Sequence, residues 1–114
     1  MATPLSLRAR DLKARLDAGE SLQLVDVREP LELELAVLAQ PVIHLPLGSS
    51  QAWLERVHEL LDRERDVVVL CHAGIRSWQF ACWLMEVHAF ERVWNLQGGI
   101  EAWSLEVDPA VPRY

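Results

Sequence analysis

Val67-Val68-Val69-Leu70-Cys71-His72-Ala73-Gly74-Ile75-Arg76-Ser77 decides how this chain folds. Four aliphatic residues in a row, three of them β-branched, read as a strand buried on both faces. A long apolar segment from Trp78 onward reads as a helix that opens on Arg76-Ser77. Between them lies a loop with one cysteine and one glycine. A strand that runs through a short loop into a helix aims loop amides and the positive helix end at whatever the loop holds. Here it holds a thiol. Helix N-termini and nearby cations lower a cysteine pKa from about 8.5 to roughly 3.5–7.5. The amides of His72 through Ser77 can nest around the sulfur, with Gly74 permitting the turn.

Working outward, Leu22–Val27, Val42–Leu45 and Arg92–Asn95 read as further strands. Ser6 reads as an N-cap before Ala9, Leu12 and Leu16 on one helical face, with Asp11 and Arg15 as an i,i+4 pair and Gly19 as the stop. Ser50 reads as the cap of a helix carrying Trp53, Val57, Leu60 and Leu61. Residues 31–42 open with Leu31-Glu32-Leu33-Glu34-Leu35, which alternates like a strand but consists of strong helix formers, so a short helix is expected. Gly98-Gly99 is a turn before a last helix, Ile100–Leu105. Strands alternating with helices define an α/β fold with a mostly parallel sheet of four to five strands covered on both faces. Ligands in such sheets sit at the carboxyl ends of strands, where Cys71 and Asp26-Val27-Arg28 both lie.

The 114 residues are 51% hydrophobic and 25% charged, the balance of one globular domain spanning 1–114. Eleven Lys and Arg against 17 Asp and Glu leave a net charge of −6, which opposes nucleic-acid and anionic-membrane binding. No stretch has the length of a signal peptide core or a membrane span. With only Cys71 and Cys82, a reducing compartment, the cytoplasm, is expected.

The loop Cys71-x-x-Gly74-x-Arg76-Ser77 resembles the active-site loop of the rhodanese-like sulfurtransferases, Cys-x-x-Gly-x-Arg-Ser. Asp26-Val27-Arg28 is similar to the Asp-Val-Arg that ends an early strand of that family. Asn95-Leu96-Gln97-Gly98-Gly99-Ile100 with Ala102-Trp103 is similar to its Asn-Leu-x-Gly-Gly-Ile-x-Ala-Trp motif, and Pro112-Arg113-Tyr114 to its Pro-x-Tyr ending. The chain departs from the family at Ala36–Val42, with neither glycine nor histidine where many members have Gly-His-Ile-Pro-Gly-Ala. The resemblance implies a three-layer α/β/α rhodanese-like fold and no cofactor or metal.

It also implies chemistry. Cys71 would be the catalytic nucleophile, taking sulfane sulfur from thiosulfate or another persulfide donor as a persulfide. Cyanide or a thiol would then remove the outer sulfur in a two-step, ping-pong scheme. His72, Ala73, Gly74, Ile75, Arg76 and Ser77 would form the binding loop, with Arg76 ordering it or holding the anionic donor. Asp26 and Arg28 would either guide substrate as a pair or, with Asp26 binding loop amides and Arg28 paired to it, support the site from behind. Support is expected for both, and of the two Arg28 is the better placed to approach an anion. A module that carries persulfide for a sulfur-relay protein, with weak turnover, is the alternative. Related phosphatases and arsenate reductases place five residues between cysteine and arginine; here there are four, a loop sized for sulfur rather than phosphate. Cys82 falls on an apparent core stripe with Trp78, Ala81 and Met85. His44, His58 and His88 are dispersed without metal-ligand spacing. Trp94 and Trp103 read as core anchors. The helix over Ser77–His88 is apolar nearly all round, so burial by the last helix and tail is expected, with an exposed docking face at Trp83 as the other reading.

Overall fold

The computed structural model describes residues 2–114. Its centre is a parallel sheet of five strands: β1 (Leu5–Leu7), β2 (Gln23–Asp26), β3 (Ile43–His44), β4 (Val67–Leu70) and β5 (Val93–Leu96), in the order β1-β5-β4-β2-β3. The central strand is β4, whose Val67-Val68-Val69-Leu70 run is wholly buried, as its unbroken apolar sequence requires. Side chains alternate across it. Val67, Val69 and Cys71 join one core with Phe80, Ala81 and Leu84 of α4 (Ile75–His88). Val68 and Leu70 join the other with Leu12 of α1 (Ala9–Asp17) and Ile100 and Trp103 of α5 (Gly99–Glu106). Two helical layers therefore sandwich the sheet. The register of β2 on β4 pairs Asp26 with Leu70, so the two strand ends expected to carry the site lie side by side.

The short helix expected in residues 31–42 is α2 (Pro30–Leu35), which opens with Pro30 in its first turn and a capping box between Glu29 and Glu32. After it, Ala36 and Leu38 of the departing segment are buried against the α1/α5 layer.

Several local readings are corrected. Ser6 lies within β1, paired with Asn95, and α1 is capped at Arg8 without a side-chain bond. A three-residue edge strand with two exposed positions leaves no periodic trace. Arg15 pairs with Glu20 and Asp66 rather than Asp11, because its guanidinium lies over Trp94, 5.0 Å from the ring centroid. The helix expected from Ser50 is two 3₁₀ turns, Leu47–Ala52 and Leu54–Arg56, followed by α3 (Val57–Leu60). Trp53 breaks it at φ −131°, its indole N–H donating to the Pro46 carbonyl at 3.0 Å.

The buried face of α4 is Ser77, Phe80, Ala81 and Leu84, not the expected stripe through Trp78, Cys82 and Met85, which are half-buried. The last helix and tail lie across the sheet from α4, so they do not cover it. Trp83 is instead half-buried among Trp53, Phe80 and His88. Trp103 is a core anchor, whereas Trp94 is half-buried under Arg15. His58 and His88 are not dispersed: their rings meet with nitrogens 3.0 Å apart. Among the described residues no helix is long and apolar enough to cross a membrane, and no group of three or more His, Cys, Asp or Glu is placed to hold a metal.

Candidate active site

Cys71 follows the last residue of β4, and its side chain turns toward the α4 layer, 1% exposed. The chain reverses at Gly74, whose φ of +105° suits glycine, and α4 begins at the next residue. The turn brings donors onto the sulfur. The Gly74 N–H donates to Sγ at 3.1 Å and the Ser77 N–H at 3.4 Å, and the Ser77 hydroxyl lies 3.3 Å away. Burial alone would push the thiol up; bonds from the Ser77 hydroxyl and the amides of Ser77, Gly74 and Ala73 outweigh it and hold the pKa below its ordinary value. The nest is thus narrower than the full run of amides from His72 to Ser77.

The loop is held from behind by the start of α5. The Ile100 N–H donates to the Cys71 carbonyl at 2.9 Å and the Glu101 N–H to the His72 carbonyl at 3.1 Å. This approach depends on Gly99: a Cβ there would lie 2.4 Å from the His72 carbonyl oxygen and 2.5 Å from that of Cys71. The double glycine before the last helix is therefore part of the cysteine loop in space.

The remaining loop residues divide by exposure. Ala73 and Ile75 face solvent, Ile75 at 72%. The His72 ring stacks on Tyr114 with centroids 4.0 Å apart, and its Nε2 lies 3.6 Å from a Glu101 carboxylate oxygen. Arg76 is tied to α2: its two terminal nitrogens donate to the two carboxylate oxygens of Glu32 at 2.7 and 2.8 Å. That bidentate bond holds Glu32 down at about 2, against the opposing effect of burial.

Arg28 does not approach the loop mouth. It is fully buried, with Nε and Nη2 donating to Asp26 at 2.7–3.1 Å and Nη1 to the Tyr114 hydroxyl at 3.1 Å. Asp26 also accepts the Arg28 backbone N–H at 3.0 Å, so the two residues close the end of β2 as one unit. His44 is satisfied by the Arg28 carbonyl, 2.6 Å from Nε2. Cys82, on the opposite flank of α4, has its thiol pushed up by burial and by Glu86.

The rhodanese-like domain family pattern matches residues 8–106. The chain belongs to the rhodanese-like domain family. Within it, this rhodanese-like chain is 43% identical over 95 residues to a chloroplastic rhodanese-like/PpiC domain-containing protein of Arabidopsis thaliana, covering 83% of this chain but 31% of that one. It is 33% identical over 107 residues to a sulfurtransferase of Allochromatium vinosum, covering 90% of this chain and 91% of that one. The crystal structure of a thiosulfate sulfurtransferase from Pseudomonas aeruginosa matches with a TM-score of 0.76 at 27% identity, over 90% of this chain and 19% of that one. The rhodanese-like chain thus spans under a third of some relatives and nearly the whole of others.

Three residues around the loop carried no assigned role in the sequence: Glu32, Asn95 and Tyr114. Glu32 has a local signal, since Glu29-Pro30-x-Glu32 is a capping pattern, but nothing local ties it to Arg76. Asn95 sits in the double-glycine motif; that its amide reaches the cysteine loop follows only from β5 lying beside β4.

Proposed function

We propose that this protein moves sulfane sulfur through a persulfide on Cys71. The carrying observation is the convergence of the Gly74 and Ser77 N–H groups and the Ser77 hydroxyl on one buried sulfur in a four-residue Cys-x4-Arg loop. Those donors favour the thiolate and offer stabilisation to negative charge that develops there. With thiosulfate as donor, the thiolate attacks the sulfane sulfur, the sulfur–sulfur bond breaks, and sulfite leaves with the electron pair. An acceptor, cyanide or a thiolate, then attacks the outer sulfur and Cys71 departs as the thiolate. No cofactor or metal enters this scheme. The two free cysteines agree with action in the cytoplasm.

One observation favours the carrier as a second reading. Arg76 of the loop is occupied by Glu32, and Arg28 behind it is buried against Asp26, so neither arginine offers an unpaired cation to a small dianion. A persulfide handed over by a sulfur-relay protein needs no such cation. Incubating the protein and Cys71→Ser with thiosulfate, weighing both, and following thiocyanate after cyanide addition tests both readings. One added sulfur on the wild type alone with fast turnover is the expected result for the enzyme, and added sulfur with slow turnover for the carrier. No sulfur gained from thiosulfate or from a protein persulfide overturns both.

A further inference from the structure

Ser77 has one hydroxyl proton and two neighbours that can accept it. Its oxygen lies 2.5 Å from Asn95 Oδ1 and 3.3 Å from Cys71 Sγ. The orientation of the Asn95 amide is settled by its other end, where Nδ2 faces the Gly74 carbonyl oxygen at 3.1 Å. Only a nitrogen can donate there, so Oδ1 must face Ser77. An amide oxygen cannot donate, so the Ser77 proton points at Asn95. The oxygen that Ser77 then turns to the sulfur carries lone pairs, and it accepts from the thiol S–H. While Cys71 is protonated the chain runs from S–H to Oγ and from O–H to Oδ1, every group satisfied.

Ionisation breaks this order. Once the thiol proton leaves, a Ser77 oxygen still bonded to Asn95 would present lone pairs to a thiolate. The hydroxyl must rotate to donate to Sγ, and the Asn95 oxygen, on a residue that is 5% exposed, loses its donor. We infer that Asn95 is a positioning residue that competes with Cys71 for the Ser77 proton, so that ionising the thiol requires that proton to swing from Asn95 to the sulfur. The inference rests on Cys71 being the reacting group of the proposed function. The charged and titratable groups around the loop are the Arg76–Glu32 pair, the buried Arg28–Asp26 pair, His72 beside Glu101, and Tyr114. None of these bonds to Ser77 or Asn95 among the described residues, so the competition is confined to three side chains.

The test is a thiolate absorbance titration in a Cys82→Ser background, where one thiol remains, with Asn95→Ala, Ser77→Ala and both together. Removing the competitor frees the hydroxyl for the sulfur, so Asn95→Ala is expected to move the Cys71 midpoint down by roughly 0.4–1 pH unit. In the Ser77→Ala background the same substitution is expected to leave the midpoint in place, since its route to the sulfur is gone. An upward or absent shift in Asn95→Ala, or an equal shift with and without Ser77, overturns the inference. If Asn95→Ala does not fold, NMR of the Asn95 side-chain amide decides: it should follow the Cys71 titration in the Cys82→Ser protein and lose that response when Ser77 is alanine. An amide unresponsive in the first, or equally responsive in both, overturns the inference. No sulfur donor is present in either experiment. A protein that shows this coupling yet takes up no sulfur would refute the proposed function alone.

Discussion

Asp26 and Arg28 stand two residues apart at the end of a strand, and their pairing shows what burial does to an ion pair. Both are within 1% of complete burial, and the guanidinium is matched by the carboxylate, the Glu32 carbonyl and the Tyr114 hydroxyl. Removing one partner leaves the other charged and dry, which costs roughly 3–5 kcal/mol. Arg28→Ala is therefore expected to lower the unfolding free energy by about that amount in urea titrations. Were Arg28 instead a substrate group, the substitution would slow sulfur uptake and leave stability near that of the wild type. At Cys71 the expectation concerns chemistry, not stability: Cys71→Ser keeps the fold and loses all sulfur uptake by mass.

At the scale of elements, the start of α5 and the cysteine loop form one unit through Gly99. Its φ is +60°, and Gly19 has a comparable +80° at the end of α1. An alanine at either position costs roughly 1–2 kcal/mol for the left-handed backbone. Only at Gly99 does a Cβ also strike carbonyl oxygens; at Gly19 nothing lies within 4 Å. Gly99→Ala should thus lower the melting temperature clearly more than Gly19→Ala, and should slow Cys71 alkylation where Gly19→Ala does not. Equal losses would mean that the helix does not brace the loop. The elements also show which local signals were reliable. The all-apolar β4, the Gly-marked turn into α4 and the strong helix formers of Leu31–Leu35 at α2 each carry a local physical cause, and each appears where expected. Leu47–Ala52 and Leu54–Arg56 are 3₁₀ turns because the Trp53 indole is drawn to the Pro46 carbonyl and to Phe80 and Trp83. Phe80 and Trp83 are brought there by the packing of α4, which local periodicity does not encode.

Across the whole molecule, α2, α4 and the tail are tied at one point. Glu32 accepts from Arg76 and from the Tyr114 hydroxyl at 3.0 Å, and closes the cap of its own helix through the Glu29 N–H at 2.9 Å. Its carboxyl is held at about 2 in the folded chain against an ordinary 4.5. A depressed carboxyl stabilises fully above its unfolded value, and that contribution disappears as pH falls through 4.5 toward 2. Arg76 is partly solvated, so the pair is screened, and the loss amounts to about 1 kcal/mol. Unfolding free energies measured across that range should fall more steeply for the wild type than for Glu32→Gln, the two curves converging at the acid end. Parallel curves would show that Glu32 is not held by the pair.

By itself the sequence determined the strand, the loop and the helix around Cys71, and with them the α/β class. Those features depend on hydrophobic runs, glycine and helix ends, whose effects act within a few residues. The motifs at Asp26–Arg28 and Asn95–Ile100 were equally legible as matches to the family, but not their work in space. The tertiary structure alone decided that the Asp26–Arg28 pair is wholly buried, that Arg76 is held by Glu32, forty-four residues away, and that Asn95 reaches Ser77. It also decided that α5 braces the loop while Trp53 covers α4. The contacts that converge on the cysteine loop depend on the order β1-β5-β4-β2-β3, which sets neighbouring strand ends side by side regardless of their separation along the chain. A side chain's partner is chosen by that juxtaposition, and short-range patterns carry no record of it.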